Sequence, residues 1–198
     1  MIKSIMMRGN PPVNALREPH RLDELLNFRL HRLHMLSGAP VVRLLEGRHG
    51  ITRREWRLLA LLADRGPLSP SELADQGQLD RTRTSRSIGL LVSKALALRQ
   101  TSPADPRRAC ISLTASGQSL YEDVFPQVAD INRQLVSVLD EATLNALDRA
   151  LQGLTDQARQ LNLTVAADVK TQRRQGGSKR LLARSRQDAL PAGEASIF

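Results

Sequence analysis

The chain is poor in cysteine, aromatic rings and long apolar runs, and each shortage narrows what it can be. Its 198 residues hold one cysteine, Cys110, which excludes a disulfide framework and a thiolate zinc finger. The aromatics are Phe28, Trp56, Tyr121, Phe125 and Phe198, too few for a platform that stacks single-stranded bases. The longest apolar runs, such as Leu58 to Ala63, are far too short to span a bilayer. The opening MIKSIMMRGN lacks the apolar stretch of a secretory signal. A cytoplasmic protein with no membrane partner is expected. The four histidines are His20, His31, His34 and His49. His31 and His34 are three residues apart but lack carboxylate or thiolate company, so no metal site is expected. No Gly-x-Ser-x-Gly stretch and no Walker pattern occurs, so neither an enzyme nor a cofactor is expected.

Charge is plentiful and specific in kind. Basic residues number 29 against 20 acidic, a net charge of +9, and only Lys3, Lys94, Lys170 and Lys179 are lysines. The planar fork of arginine suits phosphate and base edges. The surplus is uneven: +2 over residues 1–20, +3 over 21–164 and +4 over 165–198. Residues 81–108 carry seven basic side chains against Asp105 alone, whereas residues 114–164 carry three basic against seven acidic. One positive segment followed by acidic helices is the electrostatic footprint of a duplex binder. The plainer alternative is a solvated charged helix.

Punctuation and periodicity divide the chain. Residues 1–20 read as a tail, with Gly9, Pro11, Pro12 and Pro19. Residues 22–37 repeat apolar groups at helical spacing, and Pro40 after Gly38 is expected to break that helix, leaving 41–48 as a short helix or turn. Thr52 with Glu55, and Ser69 with Glu72, form capping-box patterns that open helices over 53–64 and from Pro70 to about Gln76. Asp80 caps a helix to about Ala95. Leu96–Thr101 and Ala109–Leu113 read as strands joined by a turn, and Thr114 caps a long helix to about Leu139. Residues 141–161 form a last helix. Residues 163–198 read as a basic tail, with a helical patch near Leu181–Leu190.

A helix, a turn through Gly77-Gln78 and a second helix make a helix-turn-helix. The second helix opens with Arg81, Thr82, Arg83, Thr84, Ser85 and Arg86, the side chains a major groove wants at a recognition-helix N-terminus. Ser69 and Ser71, at the start of the preceding helix, are further DNA-binding candidates. Ile88, Leu91 and Val92 are expected to form the buried stripe. The strands make a hairpin wing whose tip carries Asp105, Arg107 and Arg108. A narrow minor groove attracts such arginines.

The stretches ITRREWRLLALL, LSPSELA, LDRTRTSRSIGLLVSKALA and DPRRACISLTASG resemble the winged-helix core of the MarR family of transcriptional regulators. The likeness covers about residues 21–162. It implies a mainly α fold: a winged helix-turn-helix with a two-stranded β wing and a helical dimerisation region. Asp105-Pro106-Arg107 stands at the family's distance before Thr114. By that resemblance Arg107 enters the minor groove and Asp105 holds the wing geometry. Ser85-Arg86 matches the family's Thr-Arg. Ala95 departs from the family's glycine, so the recognition helix must end without its usual left-handed glycine cap. The DNA-binding lobe is expected over about 52–113, with dimerisation helices over 21–48 and 114–162.

Two apolar seams point to a homodimer. Val124, Val128, Ile131, Leu135 and Val138 form one; Leu144, Leu147, Leu151, Leu154, Ala158 and Leu161 form the other. Burial within one monomer accounts for a single such seam. On the first helix, Leu22, Leu26, Leu33 and Leu36 share a face with Arg29 at its centre. A charge in an apolar stripe needs a partner. Two readings stay open: a structural Arg29–Glu55 pair, or an Arg29 that receives the carboxylate of a small ligand, with Trp56 lining the cavity and His34 and Arg43 as weaker candidates. The stretch from Leu25 to Trp56 resembles family members tied to degradation of aromatic acids. Cys110 reads as a plain strand residue. Together these features describe a ligand-responsive repressor, released from a pseudopalindromic operator by a small aromatic carboxylate. The alternative is a ligand-independent architectural protein of double-stranded DNA.

Overall fold

The computed structural model of the chain describes residues 14–101 and 109–164. After a 3-10 turn at Leu22–Glu24 come α1 (Leu26–Arg48), α2 (Arg53–Arg65), α3 (Pro70–Gln76) and α4 (Arg81–Ser93). The strands β1 (Ala97–Thr101) and β2 (Ala109–Leu113) precede α5 (Ala115–Val136) and α6 (Glu141–Thr164). The result is a mainly α winged helix-turn-helix. The wing-tip residues Asp105, Arg107 and Arg108 lie outside the described residues. So do residues 1–13 of the expected N-terminal tail and, from residue 165, the expected basic tail with its helical patch.

The helix starts follow their capping side chains. Thr52 Oγ1 accepts from Glu55 N at 3.3 Å, and Glu55 Oε2 accepts from Thr52 N at 2.7 Å. Ser69 and Glu72 make the same reciprocal pair at 3.2 and 2.7 Å. Asp80 Oδ1 accepts from Arg83 N at 2.7 Å, and Thr114 Oγ1 from Gly117 N at 2.9 Å. Each cap satisfies a backbone donor that a helix start leaves open, worth about 1 kcal/mol.

Pro40 does not end the first helix; α1 runs through it for 23 residues. Proline removes the donor that would serve the Leu36 carbonyl. Leu36 is solvent-exposed, so water can serve that oxygen instead, and the helix survives.

Leu58, Leu59 and Leu62 of α2, Leu73 of α3, Ile88 and Leu91 of α4, Ala97 and Ile111 form the main core. Burying each large side chain contributes about 1.5–3 kcal/mol. A second cluster joins Leu45 of α1, Ile51 and Val124 of α5, with Val41, Trp56 and Val128 packed on it. Val124 and Val128 of the expected dimer seam therefore belong to the monomer's own core. The strands pair antiparallel, with Ala97 opposite Leu113 and Thr101 opposite Ala109. Leu68 adds a one-residue third strand, exchanging bonds of 3.0 and 2.8 Å with Ile111. A single apolar residue between Pro67 and Ser69 has no alternation to announce it. Contacts divide the chain after Ile131, within the last turns of α5. In the second unit, α6 buries none of its residues.

Candidate nucleic-acid interface and effector corner

Residues Thr84, Ser87, Ile88 and Leu91 are the buried side of α4, spaced three, one and three residues apart, one face of a helix. Arg81, Thr82, Arg83, Ser85 and Arg86 lie on the exposed side. Two expectations are corrected here. Thr84 is only 1% exposed and its hydroxyl donates to the Asp80 carbonyl at 2.9 Å, so it faces the core and cannot meet DNA. Val92 is exposed, and the small polar Thr84 and Ser87 complete the buried stripe in its place.

The exposed arginines differ. Arg83 pairs with Asp80, Nε to Oδ2 at 3.1 Å, whereas Arg81 and Arg86 make no ion pair among the described residues. Ser71 is exposed; Ser69 is half-buried, its oxygen engaged by the cap. The turn before α4 is held from behind, where Arg57 Nη1 donates to the Gly77 carbonyl at 3.0 Å. Burial, with Arg53 and Arg54 close by, lowers the pKa of Arg57.

Lys94, counted by sequence in the positive segment, is engaged elsewhere. Its Nζ donates to Glu55 Oε1 at 2.6 Å and to the Gly50 carbonyl at 2.8 Å. The Glu55 side chain is fully buried and that of Lys94 is 35% exposed. Burial by itself raises the Glu55 pKa, but Lys94 and the bonds with Thr52 outweigh it and hold the carboxyl below its ordinary value.

The Arg29–Glu55 pair therefore does not form. Arg29 is exposed, and its Nε donates to the Asp23 carbonyl at 2.7 Å. Leu22, Leu33 and Leu36 around it are exposed as well, so the apolar stripe of α1 buries no charge and demands no internal partner. Arg43 lines a different groove, about 610 Å³, with Leu44, Arg48, Pro126, Gln127, Asp130 and Ile131. Arg29 and Arg43 stand 14 residues apart on one helix, about 21 Å along its axis. The four predicted ligand residues thus do not converge.

One of them, His34, meets a residue outside that set. Arg53 Nη2 donates to His34 Nε2 at 2.7 Å. A Cβ at Gly38 would sit 2.7 Å from Arg53 Nη1, so glycine at this turn of α1 admits the guanidinium. Arg53 and Trp56 are three residues apart and share a side of α2. Trp56 stacks on Tyr121 at 5.7 Å between ring centroids, and Tyr121 lies 5.4 Å from Phe125. Three of the few aromatics therefore form a ladder from half-buried Trp56 to exposed Phe125. Arg53 at the first position of a helix, where the backbone dipole favours acids, was the available signal.

A model described as MarR family matches residues 49–108. The putative transcriptional regulatory protein for the hcr operon of Thauera aromatica is 32% identical over 129 residues, 65% of this chain and 78% of that protein. The regulator FarR of Neisseria gonorrhoeae is 33% identical over 78 residues, 39% of this chain, and the match spans about half (53%) of FarR. Among solved structures, a MarR family regulator from Silicibacter pomeroyi superposes with a TM-score of 0.63 at 26% identity, over 71% of this chain and 93% of the other. NadR in complex with 4-hydroxyphenylacetate gives a TM-score of 0.57 at 27% identity, over 66% of this chain and 92% of the other.

Proposed function

Because this chain belongs to the MarR family of transcriptional regulators, we propose that it is a dimeric repressor that leaves its operator when a small aromatic carboxylate binds. The observation that carries the DNA-reading part is the division of α4. One face is locked into the core, and the other offers Arg81, Thr82, Ser85 and Arg86 to a major groove. Ser71 and Ser69 are the proposed phosphate contacts, and Asp105, Arg107 and Arg108 are the minor-groove residues that the family resemblance implies. In this reading residues 52–113 are the DNA-binding lobe, and the helices of 21–48 and 114–162 carry the two-fold interface.

The effector corner is the junction of α1, α2 and α5. The N–H groups of Arg53 not given to His34 would receive the carboxylate. Trp56, Tyr121 and Phe125 offer the ring surface that an aromatic acid needs. Two neighbours lend support: NadR was solved with 4-hydroxyphenylacetate, and the homoprotocatechuate degradative operon repressor of Escherichia coli is a further relative. A ligand that binds better to the form with displaced recognition helices lowers DNA affinity by that difference.

The test is a release assay on the full-length protein, its own upstream duplex and a titration of benzoate and 4-hydroxyphenylacetate. Arg53→Ala is expected to keep duplex affinity and to need at least about tenfold more ligand for release, the loss of one charge-assisted bond. Arg29→Ala, its bond to the Asp23 carbonyl removed, serves as the comparison. Equal release by wild type and Arg53→Ala would remove Arg53 as the anchor. Indifference of the wild type to every acid, together with no preference for the upstream duplex over bulk DNA, would favour the architectural alternative.

A further inference from the structure

The buried side of the recognition helix carries two large apolar side chains, Ile88 and Leu91, and two small polar ones, Thr84 and Ser87. The C-terminal end of the helix is joined by polar bonds to two other parts of the fold. On one side Lys94 Nζ reaches the Gly50 carbonyl, in the corner between α1 and α2, and Glu55 Oε1 on α2. On the other, Thr114 at the start of α5 donates its hydroxyl to the Ala95 carbonyl at 2.7 Å and its N–H to the Leu96 carbonyl at 3.2 Å.

The Lys94–Glu55 pair is an odd choice if stability were its only role. A buried carboxylate loses its hydration, and apolar replacements of similar volume are often as stable or more so. A charged bond supplies what apolar contact does not: a fixed length and direction. The leverage is large. Lys94 lies 13 residues from Arg81, about 20 Å along the helix, so a tilt of about 10° about this end moves Arg81 by roughly 3 Å. That displacement is comparable to one base-pair step, about 3.4 Å.

We propose that Lys94, acting through Glu55 and the Gly50 carbonyl, is the positioning residue that sets the direction of α4 and thereby the preference for operator over bulk duplex. It rests on the reading of α4 as the DNA-reading helix. Lys94 itself touches no base: its ammonium points back into the fold.

The experiment compares Lys94→Met, Glu55→Gln and the double variant of the full-length dimer on two duplexes of equal length, the native upstream sequence and a scrambled one. Lys94→Met is expected to lose at least about tenfold in affinity for the upstream duplex, the scale of one spoiled base contact, and less than about twofold for the scrambled one, where only long-range charge is removed. The double variant should be no weaker on the upstream duplex than Lys94→Met alone, because the two groups act as a unit. Lys94→Gln, which keeps a donor for the Gly50 carbonyl, provides a milder test should Lys94→Met lose its thermal transition, and a smaller loss with the same duplex selectivity is expected of it. Equal losses on both duplexes, or none on either, would overturn the positioning role. Absence of any preference by the wild type would overturn the DNA reading itself, and this proposal with it.

Discussion

Ala95 shows how one backbone angle can be dictated from outside the residue. It adopts φ +54°, a left-handed conformation that a Cβ makes costly. The bonds Leu96 N to Leu91 O and Ala95 N to Val92 O, both 2.9 Å, are those of a Schellman cap, and Leu96 packs on the core beside Leu91. The cap therefore forms without the glycine that usually permits it. Ala95→Gly is expected to relieve the strain and stabilise the fold by about 1 kcal/mol, a rise of roughly 2–4 °C in Tm for a chain of this size. A thermal melt that moves the other way would mean that Ala95 carries no strain. Gly117 presents the opposite case: a Cβ there would overlap the Leu96 carbonyl oxygen. Sequence alone announces the departure at 95; the close approach at 117 is visible only once α5 lies against the wing root.

At the scale of elements, helix starts were the most legible feature, because a cap is a local contract between residues three apart. Helix α1 was the least, because water and neighbouring turns can rescue a proline that propensity condemns. The α2–α4 link depends on ionisation. Since the folded-state pKa of Glu55 lies below its ordinary 4.5, the ionised carboxylate contributes stability above about pH 4.5, and that contribution is lost as pH falls through the folded value. Wild type is expected to exceed Glu55→Gln by about 1–3 kcal/mol at pH 7. The gap should close in acid. Urea midpoints of both proteins between pH 7 and 3.5 check it; a gap independent of pH would show that Glu55 acts through shape alone.

At the scale of the whole molecule, the apolar surface demands a partner. On α6, Leu147, Leu151, Leu154 and Leu161 are each more than two-fifths exposed, although the helix is 24 residues long and none of it is buried. Leu30, Leu33, Met35 and Leu36 of α1 are exposed too. An amphipathic helix of this length requires something on its apolar side, and a second copy is the proposed occupant. Leu151→Arg with Leu154→Arg is expected to yield a monomer by sedimentation and to cost operator affinity at least about tenfold, since two half-sites can then no longer be bound together. A double variant that sediments as a dimer would place the interface elsewhere. No helix among the described residues is long and apolar enough to cross a membrane.

By itself the sequence determined what is local or periodic: the caps at Thr52, Ser69, Asp80 and Thr114, the helix-turn-helix, the two strands of the wing, and the concentration of arginine over residues 81–108. Periodicity tells which side chains share a face, but not which neighbour that face will meet. Tertiary structure decided the rest. It turned Thr84 inward and Val92 outward, kept Val124 within the monomer, gave Glu55 to Lys94 rather than Arg29, and brought Arg53 against His34. The physical reason is distance along the chain. A cap joins residues three apart, whereas Glu55 and Lys94 are 39 apart. Only the packing of α2 against α4 brings that carboxylate and ammonium into contact.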